Sequence, residues 1–131
     1  MPTKATQDIE RLREVFKFDP TVQRRIDGDV AAFGKYLERR RDHVALSRAS
    51  ADEYDADAVR GADNLRTEAH NAAINAAIDL NYLCDLAQME PIAPVAERGT
   101  EFNNKMHRNA VARFAADTFE LTPGERHACD L

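Results

Sequence analysis

The stretch from Asp63 to Gln88 constrains the fold most, because it carries two apolar stripes at helical spacing. One stripe is Leu65, Ala69, Ala72, Ala76, Leu80, Leu83 and Ala87; the other is Ile74, Ile78, Tyr82, Leu86 and Met89. Apolar residues that recur every three or four positions share one helical face. A helix with two such faces needs cover on two sides, as a helix surrounded by others has. The alanines allow neighbouring backbones to approach closely. The rest of the chain must therefore supply further helices.

It does so with little sign of strand. Runs of β-branched residues are absent, and the five Gly and five Pro cluster at a few punctuation points. A first helix is expected from about Gln7 to Lys17, with Ile9, Leu12 and Phe16 on one face and Thr6 as its cap. Asp19-Pro20 stops it and starts the next, with Asp19 as N-cap and Pro20 in the first helical position. The second helix carries Val22, Ile26, Val30, Phe33, Leu37 and Val44 to about Ala49. That stripe passes through Gly28, which favours continuity over a break at Asp27-Gly28-Asp29. Ser50-Ala51-Asp52-Glu53 reads as a capping box opening a further helix. A straight helix from Ser50 to Gln88 would be about 57 Å long, against a diameter of roughly 36 Å for a compact domain of this size. A break near Gly61, with Asp63 capping a new start, resolves the overhang. Glu90 to Val95, with two prolines, must be an extended crossing. A last helix is expected from near Thr100 to near Glu120, bearing Phe102, Met106, Ala110 and Phe114 with Val111 and Phe119. Pro123-Gly124 should end ordered structure.

The expected architecture is all-α: a compact bundle of four or five helices without a sheet, one domain over 1–121, and a loose tail over 122–131. Expected core residues are Phe33, Leu37, Ile74, Ile78, Leu80, Leu83 and Phe114. A hydrophobic content of 44% with 31% charged residues suits a globular chain. No apolar run approaches the roughly 20 residues a membrane helix needs, and the start MPTKATQDIERL lacks a secretory h-region. Cys84 and Cys129 read as a small core filler and a tail thiol in a reducing, cytoplasmic setting.

The block HNAAINAAIDLNYLCDL, from His70 to Leu86, resembles the central helix of an uncharacterised family of small all-helical bacterial proteins. Such proteins pair an H-x-A-A-I-x-x-L-N-x-L-like helix with a short loop and a final amphipathic helix. Lys105 to Glu120 resembles that final helix, and Tyr36 to Arg41 and Ser50 to Tyr54 sit where similar patterns occur. The likeness spans roughly Tyr36 to Glu120. Pro91 and Pro94 depart from the more Gly-rich turn of the family. The resemblance implies a helical fold and an accessory protein of bacterial genomes and mobile elements, and it brings no activity with it.

The residues themselves point to no identified chemistry. His43, His70, His107 and His127 form neither an H-E-x-x-H motif nor an i, i+4 pair. His70 is expected to be a hydrogen-bonded structural residue. The glycines are isolated, so no phosphate loop is present. No catalytic residue, cofactor or metal site is assigned. Charge is more informative. Residues 20–49 hold seven Lys and Arg against four Asp and Glu, a balance of +3, whereas residues 50–101 hold three against eleven, a balance of −8. Arg39, Arg40 and Arg41, with Lys35 and Arg48, form a basic end on the second helix. The helix dipole alone accounts for cations there; the functional reading is contact with an acidic partner. Asp52, Glu53, Asp55 and Asp57 form an acidic knot on a short third helix, explained either by the dipole or as a docking face. Asn71, Asn75 and Asp79 recur every four residues as a polar ridge, either a solvated edge or a recognition surface.

These features favour a non-enzymatic accessory protein acting through protein–protein contact, with a homodimer possible, nucleic acid an unlikely ligand at a net charge of −5, and no membrane partner. The second reading is a phage or mobile-element inhibitor of a host nucleic-acid-handling defence system, of the anti-CRISPR kind. The third is a helical enzyme that binds a metal or a small molecule.

Overall fold

A computed structural model describes residues 2–94 and 105–131. Five helices hold 76% of the described residues, and there is no strand among them. The helices are α1 (Lys4–Val15), α2 (Pro20–Ser47), α3 (Ala56–Leu86), α4 (Lys105–Thr118) and α5 (Pro123–Ala128). The all-α bundle expected from the helical periods is the fold observed.

The antiparallel pair of α2 and α3 is the frame. Asp19 caps α2 by accepting from the Val22 amide, and Pro20 takes the first turn. The helix then runs unbroken through Gly28. Its buried stripe is Val22, Ile26, Phe33, Tyr36, Leu37 and, unexpectedly, Arg40. Against it lies the alanine-rich face of α3: Ala69, His70, Ala73, Ile74, Ala76, Ala77, Leu80, Leu83 and Cys84.

The expected break near Gly61 does not occur, and Ser50 does not open a helix. Residues 51–53 form a turn, with the Glu53 amide donating to the Ser50 carbonyl at 3.0 Å. α3 begins at Ala56, where the Asp55 carboxylate accepts from the amides of Asp57 and Ala58. The overhang argument assumed a near-spherical packing. α2, at 28 residues, is about 42 Å long and α3, at 31, about 46 Å. Each covers the other, and no break is needed. A glycine inside a helix costs about 1 kcal/mol relative to alanine, which the remaining turns of α3 absorb.

α1 packs against α4 and buries Ala5, Asp8, Ile9 and Leu12. It starts earlier than expected, capped by Thr3 rather than Thr6. The Thr3 hydroxyl also donates to the Asp117 carbonyl at 2.7 Å, which ties α1 to α4. After α3 the chain extends, as Pro91 and Pro94 require. Asn81 holds that crossing: its side chain accepts from the Ile92 and Ala93 amides and donates to the Ala93 carbonyl. The expected helix start at Thr100 and the stripe residue Phe102 lie outside the described residues. In α4, Val111, Ala112, Phe114, Ala115 and Ala116 are buried, whereas Met106 is 79% exposed. The face turned inward is thus centred on Val111 and Ala115, not on the Met106–Ala110–Phe114 line.

The tail is not loose. Thr122 and Glu125 complete a capping box. Arg126 bridges to the Asp117 carboxylate at 2.8 Å and to the Leu121 carbonyl at 3.0 Å. Cys129, expected to be a tail thiol, is 3% exposed, and its Sγ–H donates to the Leu37 carbonyl. Pro123-Gly124 starts a helix because proline suits the first helical turn.

Candidate functional site

Two of the structure's features do no evident work for the fold: an outward face of α3 and a cationic cleft beside its N-terminal half.

The outward face follows from how α3 packs. A helix that presents alanines inward brings its neighbour close, and residues of the other phase are turned out. Ile78, Tyr82 and Leu86 are 56%, 53% and 55% exposed. They stand at i, i+4 and i+8, on one line. The expected burial of Ile78 is therefore wrong, while Phe33, Leu37, Ile74, Leu80, Leu83 and Phe114 are buried as expected. Asn71 and Asn75, both exposed, continue the same line toward the N-terminus of α3. The asparagine ridge and the apolar line are one surface.

Its edge toward α2 is electrostatically structured. Arg25 forms an ion pair with Asp79 and lies over the Tyr82 ring, 5.7 Å from its centroid. Asp29, one turn along α2, is partly buried beside Asp79. Burial first, and then the neighbouring carboxyl of Asp79, push Asp29 up to about 8, against the opposing pull of Arg25. Burial would raise Asp79 too, but Asp29 and Arg25 outweigh it and hold that carboxyl below the usual range. Asp29 keeps the proton and Asp79 the charge. Sequence spacing placed Asp79 in the ridge but could not show a partner 50 residues away on another helix.

The other candidate residues are dispersed. Of the arginine triplet, Arg41 is exposed and Arg39 partly so, but Arg40 is 7% exposed. Its guanidinium donates to the Cys129 carbonyl at 3.0 Å and the Tyr36 hydroxyl at 3.2 Å. Arg40 is an internal strut, with little of it left on the outer surface. Asp52 and Glu53 are exposed in the turn before α3, so the short third helix does not exist. Asp55 is spent as the α3 cap, and Asp57 pairs with Arg60.

His70 is 1% exposed, and neither ring nitrogen has a hydrogen-bond partner, contrary to the expectation of a bonded residue. Its ring lies 5.3 Å from Tyr36 and 6.4 Å from His107. Burial, then the cationic neighbourhood of His107, Arg108, Arg66 and Arg40, lower it to about 4, so it is neutral at pH 7. Among the described residues no three His, Cys, Asp or Glu side chains converge as a metal would require. No described helix is long and apolar enough to cross a membrane.

No protein-family model matches the chain, and no curated protein or solved structure is significantly similar to it. The functional reading therefore rests on the geometry above.

Proposed function

We propose that this chain is a non-enzymatic accessory protein that binds a protein partner through the exposed line Asn71–Asn75–Ile78–Tyr82–Leu86 of α3. The carrying observation is the exposure of three large apolar side chains on one line of a helix whose other faces are packed. Single exposed apolar residues are ordinary; a contiguous row is a mark of contact surfaces. Tyrosine flanked by aliphatic residues is also the composition of interface centres.

Charge selects the partner. Residues 71–90 contain Asp79, Asp85 and Glu90 and no Lys or Arg. With Asp79 already paired to Arg25, a second copy laid along this line would still set Asp85 and Glu90 against acid, which is costly at a contact. A helix with an apolar stripe flanked by Lys or Arg fits both the row and its rim, in the manner of a helix laid along an apolar surface.

A photo-crosslinking residue at position 82, with position 35 on exposed α2 as control, tests this directly. The reading expects a crosslink to a different protein from position 82 only. That protein should associate more slowly as salt rises, and Ile78→Glu with Leu86→Glu should abolish binding without changing helix content. A crosslink to a second copy of the chain, or undiminished binding by the double variant, refutes it.

A further inference from the structure

Beside the N-terminal half of α3 lies a cleft of about 200 Å³, lined chiefly by Arg40 and His43 of α2, Arg66 of α3, Arg108 and Asn109 of α4, and Asp130. Arginine side chains from three helices thus line one cleft. Like charges at such range repel, and their pairing partners are too few. Arg66 is answered by Asp63 at 2.6 Å, and His43 shares that carboxylate at 3.7 Å. Asp130 leans instead toward Arg48, at 3.5 Å, with its side chain 72% exposed. Arg40 and Arg108 form no ion pair among the described residues. The Arg108 guanidinium makes no hydrogen bond among them either, and Asn109 beside it offers an amide. Arg40 is held by the Cys129 carbonyl and the Tyr36 hydroxyl and lines the cleft.

The unpartnered ring of His70 lies just behind, among the same arginines. A histidine buried without any hydrogen bond normally profits from taking one; here the surrounding positive charge and burial keep it neutral. The site is therefore partly preorganised: Arg40 and Arg66 are held in place before any counter-charge arrives, and Arg108 is left to pair.

We infer that this cleft binds a phosphate dianion, either inorganic phosphate or the terminal group of a small phosphomonoester. Guanidinium forks match the oxygens of phosphate; the Arg108 fork is unengaged, and Arg40 and Arg66, already bonded within the protein, add positive charge around it, which favours a dianion over the single charge of a carboxylate. The volume holds one such group with a short substituent. The cleft is remote in function from the outward α3 line, so the inference stands apart from the reading above.

Isothermal titration of the full chain with inorganic phosphate, glycerol phosphate and acetate, at constant ionic strength, tests it. One saturable site is expected for phosphate or its monoester, with at least tenfold weaker acetate binding. Glycerol phosphate binding more tightly than phosphate identifies the monoester as ligand; phosphate alone binding identifies the free ion. Arg108→Gln should weaken the phosphate affinity at least tenfold with an unchanged thermal midpoint in the absence of ligand, whereas Lys35→Gln should not. In the wild type, the His70 ring signals should titrate at higher pH once phosphate is bound, because a neighbouring dianion favours the imidazolium. Non-saturable heats, or equal affinity in the Arg108→Gln and Lys35→Gln variants, overturn the inference.

Discussion

Arg39, Arg40 and Arg41 are chemically identical neighbours, and the structure gives them unequal worth. Arg40→Ala removes two good hydrogen bonds from a charged donor, to the Cys129 carbonyl and the Tyr36 hydroxyl, and a longer contact of 3.4 Å to the Asp130 carbonyl. Each bond from a charged group contributes about 1.5–3 kcal/mol. Relief of guanidinium desolvation offsets part of that sum, and loss of the buried aliphatic stem adds to it. A net loss of about 2–4 kcal/mol follows, against about 0.5 kcal/mol or less for Arg41→Ala on the exposed side. Urea denaturation followed by circular dichroism measures both. The mechanism makes a stricter demand: if Arg40 acts by pinning the tail, its worth should vanish when the tail is gone. In a chain ending at Leu121, Arg40→Ala should cost at least about 1 kcal/mol less than in the full chain, a coupling typical of residues in direct contact. Equal costs in the two backgrounds, or equal costs of Arg40→Ala and Arg41→Ala, would refute the reasoning. Reversing all three arginines at once would confound a surface with a strut.

Leu83 is fully buried, so Leu83→Ala should lower stability by about 2–5 kcal/mol, while Ile78→Ala on the same helix should change it by about 0.5 kcal/mol or less; similar losses for both would mean that α3 is rotated from the orientation described. Glu120 closes α4 with φ of 52°, and Glu120→Gly should raise the thermal midpoint, gaining about 0.5–1 kcal/mol from relief of the left-handed strain; a lowered midpoint contradicts it. Asp29, raised from 3.8 to about 8, keeps a proton that the unfolded chain releases, so its contribution to stability falls as pH rises across that window. His70, lowered from 6.5 to about 4, acts in the opposite sense, losing stability as pH falls through its own window. The two should nearly cancel between about pH 4 and 6.5 and leave a decline from about 6.5 to 8 that Asp29→Asn abolishes; an undiminished decline in that variant would sink the assignment of Asp29.

Helix existence was legible from the chain because a period near 3.6 survives any tertiary arrangement. The continuity of α2 through Gly28 was readable from its stripe. The continuity of α3 through Gly61 was not, because it depends on α2 being equally long and lying alongside. The tail was misread for a related reason. Pro123-Gly124 is a stop signal locally, yet Thr122 and Glu125 form a capping box around it, and that pattern was present in the sequence to be used. What no local signal carried is the clamp on Cys129 and Asp130 by an arginine about 90 positions earlier. The same holds for the cleft: Arg40, Arg66 and Arg108 lie far apart in sequence, and only the packing of α2, α3 and α4 assembles them. The four-residue spacing of Asn71, Asn75 and Asp79 marks a polar ridge in the sequence, but it does not show that Ile78, Tyr82 and Leu86 stand exposed beside it.

That exposure has a physical cause that bears on function. Two stripes on α3 are apolar, and hydrophobicity alone does not choose between them. Volume does. Ala69, Ala73, Ala76 and Ala77 are the buried small residues of α3, and the fully buried Phe33 and Tyr36 of α2 supply bulk in the same core, Phe33 against Phe114 and Tyr36 against His70. With the bulky partners supplied by α2, a side chain the size of Ile78 or Tyr82 on the inward face would overpack it, at a typical cost of about 1–3 kcal/mol. The large apolar residues of α3 therefore stand outside because the inside is full. Outside, more than half of each side chain's surface stays in water, so they add less to the fold than they would inside. The row lies on the most extensively packed helix pair of the molecule, so the proposed partner would meet a backbone already in place and lose less affinity to conformational entropy. For the proposed partner, Asp85 and Glu90, with Asp79 already paired to Arg25, would add attraction for basic flanks and repulsion for acidic ones.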